Sequence, residues 1–86
     1  MSEITDAEYQ QFVRERPFVV YRLNNMDRFR GRFRSDYMGR YPTFEEARDS
    51  MPESVRQSLR RFKDGWAGEN FYAVWTIRDE REAADD

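Results

Sequence analysis

Seven residues in the middle of the chain alternate without a break between arginine and a phenylalanine or glycine. The segment reads Arg28-Phe29-Arg30-Gly31-Arg32-Phe33-Arg34. Successive side chains of a β-strand point to opposite faces, so a strand would place the four arginines together, whereas a helix would scatter them around its axis. The pattern therefore predicts a strand over residues 28–34 with one cationic face.

The segment before this predicted strand also has the composition of a strand. Residues 18–23 are rich in β-branched and aromatic side chains and end at the turn-forming pair Asn24-Asn25. We predict that the two strands form a hairpin, in which a loop of odd length keeps their apolar faces on one side. Gly31 in the middle of the second strand predicts a bulge or a close approach by another element.

Capping boxes indicate where helices begin, because a Ser or Thr and a Glu three residues later satisfy each other's backbone amides. The chain has three such pairs: Thr5 and Glu8, Thr43 and Glu46, and Ser50 and Glu53. The first predicts a helix at roughly residues 6–15, which Pro17 ends. The other two predict a helical region from about residue 44 to about residue 64 that breaks near Ser50.

The last apolar run, residues 71–77, is hydrophobic on both faces and predicts the best covered strand. We expect Phe71, Trp66 and Trp75 in the core. The alternative for Trp66, and for Tyr72, is an exposed anchor, since both lie near the ends of a predicted loop. The element order α-β-β-α(α)-β then gives an α+β fold, a small three-stranded antiparallel or mixed sheet with helices packed on one face. A chain of 86 residues supports one core, which we place in residues 1–78, followed by an acidic, disordered tail over residues 79–86.

Two residue types that carry much enzyme chemistry are missing, since the chain has no Cys and no His. Disulfides, thiolate chemistry and the commonest general base and metal ligand are therefore excluded. The acidic residues between Glu45 and Glu53 lie in first turns of predicted helices, where they complement the helix dipole. We expect no catalysis, no cofactor and no metal site. No apolar run approaches about 18 residues, so a cytoplasmic protein without a membrane span is expected.

The arginine face is the strongest candidate site, because four like charges on one strand face repel each other and add nothing to a core. An arginine and two tyrosines follow at once and extend the patch. The predicted partner-binding residues are Arg28, Arg30, Arg32, Arg34, Tyr37, Arg40 and Tyr41.

Three interpretations of this patch stay open. The favoured partner is an acidic protein surface, since Arg and Tyr are enriched at interface hot spots, and the domain would then act as a regulator or inhibitor by occupying a site. Small chains without recognised motifs are common among phage and mobile-element products. A phage origin for this chain is therefore an analogy between classes of protein that no residue carries. The alternative partner is nucleic acid, with arginines on phosphates and tyrosines stacked on bases. In the third interpretation the face is only solvated, and the chain works as a homodimer through its third strand.

Overall fold

The computed structural model describes residues 5–83 of the chain. Within this range the backbone forms five strands and five helices. In chain order these are α1 (Asp6–Glu15), β1 (Phe18–Asn24), α2 (Asn25–Phe29), β2 (Asp36–Tyr41), α3 (Phe44–Asp49), α4 (Glu53–Arg56), β3 (Arg60–Phe62), β4 (Gly65–Glu69), β5 (Ala73–Asp79) and α5 (Glu80–Ala83).

The strands form one antiparallel sheet in the order β2-β1-β5-β4-β3. The α+β class is therefore confirmed, whereas the prediction of three strands is wrong, because the sheet has five. The strand predicted to be best covered corresponds to β5, which lies at the centre between β1 and β4. Since β5 is paired on both sides, it leaves no edge through which a second copy could add to it.

The predicted strand over residues 28–34 is wrong, together with its hairpin and its shared cationic face. The side chain of Asn24 accepts a hydrogen bond of 2.8 Å from the backbone amide of Met26 and begins α2 at once. Gly31 follows α2 with φ of +78°, a left-handed conformation that glycine adopts without strain. Asn competes with strand pairing by bonding locally to its own backbone, and the edge of β1 is taken by β2 instead.

The predicted helical region is right at its start and wrong at its end. The hydroxyl of Thr43 accepts from the amide of Glu46 as expected, and the helix does break near Ser50. The chain then turns into the β3–β4 hairpin rather than continuing to residue 64. A Cβ on Gly65 would overlap the carbonyl of Ile77, so glycine is what lets β4 approach β5.

The core lies between one face of the sheet and the pair α3 and α4. Phe18 packs with Phe44 and Trp66, whose rings lie 6.5 and 6.1 Å from its own. Trp75 is buried as expected, Trp66 is half-buried against the core, and Phe71 is exposed, so the expectation for Phe71 is wrong. The cluster of buried apolar residues consists of Phe18, Val20, Ala47, Met51, Val55, Ala73, Trp75 and Ile77.

The predicted boundary between the core and an acidic tail falls inside β5. Asp79 is the last residue of that strand and is buried. The Arg81 guanidinium donates two hydrogen bonds to its carboxylate, at 3.1 and 3.0 Å, and holds the pKa of Asp79 below its usual value against the opposing effect of burial. The predicted tail's last residues, 84–86, lie outside the described residues.

Candidate macromolecular interface

The structure divides the predicted site residues into an exposed group and an internal pair. The side chain of Arg40 is only 9% exposed: its Nε donates to the carbonyl of Arg16 at 3.2 Å, and its guanidinium pairs with Glu80 at 3.2 Å. Tyr41 is half-buried and packs against the core. Both therefore have structural roles. The exposed residues are Arg28, Arg30, Arg32, Arg34 and Tyr37.

The four exposed arginines lie on a non-strand stretch, residues 28–34, which we call the arginine segment. Arg28 is in α2, where its guanidinium donates to the side-chain oxygen of Asn25 at 3.2 Å. The other three follow in a turn and an irregular stretch that leads to β2. Across residues 5–83, none of the four forms an ion pair with a carboxylate. The arginine segment therefore presents unneutralised charge to solvent.

Beside the arginine segment lies a group of exposed aromatic side chains, of which the sequence analysis considered only Tyr72 as an exposed anchor. Phe71, Phe29, Tyr72 and Phe33 are 88%, 86%, 74% and 72% exposed. Together with Met26 they line a cleft of about 790 Å³, to which Asn24, Asn25, Arg28 and Asn70 also contribute. We call this the aromatic cleft. Large exposed rings gathered in one place contribute nothing to the core and are typical of a binding surface.

Hydrogen bonds between two distant segments hold the aromatic cleft in shape. The backbone amide of Asn25 donates to the carbonyl of Tyr72 at 2.9 Å, and its side-chain amide donates to the carbonyl of Phe71 at 2.8 Å. The side-chain oxygen of Asn70 accepts from the amides of Tyr72 and Ala73, both at 2.9 Å. The backbone that carries the rings is thus ordered before any partner arrives, which lowers the entropy lost on binding.

The lining of the cleft determines which chemistry it offers. It supplies four aromatic rings, a thioether, three side-chain amides and the guanidinium of Arg28, and it contains no carboxylate. Among residues 5–83 no group of three His, Cys, Asp or Glu side chains could hold a metal ion. The cleft is suited to apolar contact, hydrogen bonding and attraction of negative charge.

One sequence signal points to the cleft in retrospect. Asn24-Asn25 and Asn70 stand directly beside the exposed rings, and Asn bonds readily to nearby backbone groups and forms loops. Read as loop formers, these residues place Phe71 and Tyr72 outside the strand. The exposure of Phe29 and Phe33 depends on the loss of the predicted strand and has no such local signal.

Comparison of the chain with protein-family models, with curated proteins and with solved structures finds no match. No helix in the described part of the chain is both long and apolar enough to cross a membrane. The interpretation of the surface therefore depends on its own residues and their geometry.

Proposed function

We propose that this chain is a small non-enzymatic binding domain that docks on an acidic protein partner through the aromatic cleft and the arginine segment. One observation carries the proposal. The four most exposed aromatic rings of the described chain line a single cleft, and two of them, Phe29 and Phe33, belong to the arginine segment, whose four arginines form no ion pair within residues 5–83. By occupying its partner's surface, the domain acts as a regulator or inhibitor.

The composition of the surface supports a protein partner. Aromatic residues, Met and Arg are the types enriched at the centres of protein interfaces. A ring buries a large apolar area while losing few rotatable bonds, so Phe29 and Phe71 would be efficient anchors. The planar guanidinium of arginine binds a carboxylate through two parallel hydrogen bonds, which accounts for an acidic partner surface.

Single-stranded nucleic acid is the competing partner, since exposed rings can stack on bases while arginines bind phosphates. Duplex recognition is supported less well than the sequence indicated, because the single cationic strand face on which it depended does not form. If four arginines contact the phosphates of a single strand, affinity would fall roughly 50-fold between about 50 and 200 mM salt. The affinity of a protein interface anchored by apolar rings would fall much less over the same range of salt.

The experiment that tests the proposal is photo-crosslinking in extracts of the source cell. A photoreactive amino acid replaces Met26, which lies in the lining of the cleft and is itself exposed. Three forms of the chain are compared: the parent, the double variant F29S/F71S, and the control M38S, which removes an exposed apolar side chain on β2 outside the cleft.

We expect one protein to be captured by the parent and by M38S and to be lost with F29S/F71S, with its crosslinked peptide rich in Asp and Glu. The proposal fails if capture is the same in all three forms. It also fails if labelled single-stranded DNA or RNA binds the parent with the steep salt dependence above and F29S/F71S abolishes that binding.

A further inference from the structure

The sheet face that points away from the core is only partly covered. By the strand register, Val19 lies on this face and is buried, and five half-buried residues lie beside it: Tyr21, Leu23, Val74, Thr76 and Ala67. Two clefts, of about 660 and 550 Å³, open onto it, and Ala67 lines both. We call these five residues the open face. It adjoins the aromatic cleft, since Arg28 and Phe33 line both the aromatic cleft and the smaller of these two clefts.

The rim of the open face is mainly basic. The two clefts are lined by four cationic side chains and two acidic ones. The cations are Arg28, Arg60, Lys63 and Arg78, and the acids are Asp64 and Glu69. An occupant of this face should therefore combine an apolar stripe with a net negative charge.

Helix α1 has those two properties, and none of its residues is buried. Tyr9, Phe12 and Val13 form an apolar stripe at helical spacing, but no residue of α1 is buried, and Tyr9 and Phe12 are 57% and 42% exposed. The helix carries three acids and one arginine. A helix of ten residues is marginal in water unless its apolar face packs against something.

We propose that α1 of one copy packs on the open face of a second copy, and that the two copies exchange helices reciprocally to form a symmetric dimer. The apolar stripe of α1 covers the floor of the face, while its acids lie against the basic rim. The helix fits within the length of the face, because ten helical residues span about 15 Å and the seven residues of β5 span about 23 Å. Reciprocal exchange satisfies both surfaces of both copies.

The junction between α1 and β1 is held to the sheet by hydrogen bonds at two successive residues. Pro17 is buried, and its carbonyl accepts from the amide of Glu80 at 3.0 Å. The carbonyl of Arg16 accepts from the guanidinium of Arg40 at 3.2 Å. These contacts fix the direction in which α1 leaves the sheet, with its apolar stripe exposed.

Sedimentation equilibrium of the full chain measures the dimer. We expect F12S to raise the dimer dissociation constant about tenfold or more, because a large apolar side chain loses its contact in each half of the dimer. Q10S, at an exposed position about 160° around α1 from Phe12, is the control and should change little. K63E/R78E reverses two exposed rim charges without touching α1 and should also weaken the dimer.

Crosslinking then identifies which copy supplies the helix. Lys63 is the only lysine of the chain, so a carbodiimide should join it to Asp6 or Glu8 of α1. When chains labelled with ¹⁴N and ¹⁵N are mixed, linked peptides of mixed isotope show exchange between copies. Linked peptides of a single isotope only, or a chain that stays monomeric at its highest soluble concentration, overturn the proposal. A chain that stays monomeric would leave the open face to a different acidic partner.

Discussion

At the scale of single residues, Asp79 shows how a charge is accommodated at the end of the central strand. Its buried carboxylate accepts both guanidinium hydrogen bonds of Arg81 and a further one, at 3.0 Å, from the backbone amide of the same residue. The guanidinium of Arg81 also lies over the ring of Phe18, 4.8 Å from its centroid. Asp79, which the sequence analysis assigns to the tail, thus joins the end of β5 to the core.

We predict that D79N lowers the free energy of unfolding by about 1–3 kcal/mol near neutral pH, because hydrogen bonds to a charged acceptor are lost. Since the pKa of Asp79 is lowered in the folded state, this stabilisation is present above the unfolded pKa of about 3.9 and is lost as pH falls through the folded pKa. Urea unfolding of the parent and D79N should therefore converge in acid.

The matched control is D64N, which changes an exposed carboxylate on the rim of the β3–β4 turn. Near neutral pH its free energy of unfolding should stay close to that of the parent. An equal loss of stability for D79N at neutral and strongly acidic pH would contradict the role assigned to the carboxylate.

At the scale of elements, sequence analysis predicts features that depend on neighbouring residues. It fails for helices and strands whose formation depends on contacts between distant residues. The caps at Thr5 and Thr43 form as predicted, since they need only a residue three positions later. The third predicted cap is wrong, because Pro52 precedes α4 and the hydroxyl of Ser50 donates to the carbonyl of Ala47 instead. The sequence analysis misses the β3–β4 hairpin, because that hairpin depends on a contact between distant residues. A Cβ on Gly68 would overlap the carbonyl of Val55 in α4. The arginine segment is correctly identified as exposed charge, but its alternation does not produce a strand once Asn24 begins α2.

The loop at residues 70–72 gives an element-scale prediction. N70A removes the oxygen that accepts from the amides of Tyr72 and Ala73. Those two amides should exchange hydrogen with solvent about tenfold faster, the effect expected for loss of one hydrogen bond, while the amides of β1 stay unchanged. N70A should also weaken partner binding, because the cleft is no longer held in shape. Unchanged exchange at both amides would show that Asn70 does not hold the loop.

At the scale of the whole molecule, the sheet directs partners to its faces and its ends rather than to its edges. The edge strand β3 has only three residues, two of them arginine, and the other edge strand, β2, has a register shift opposite Val20 and Tyr21. Short, charged or irregular edges discourage the addition of further strands. The described chain leaves apolar surface for partners in the aromatic cleft, on the open face and along α1, and the first two have cations beside them.

The measurement that tests the central claim most directly is a titration of the captured protein with the parent, F29S/F71S and R30E/R32E at about 50 and 200 mM salt. We predict that F29S/F71S weakens binding at least tenfold at both salt concentrations, since two apolar anchors are lost. R30E/R32E should weaken binding mainly at the lower salt concentration, where exposed charges are screened least. Full affinity of F29S/F71S at both salt concentrations would contradict docking through the aromatic cleft.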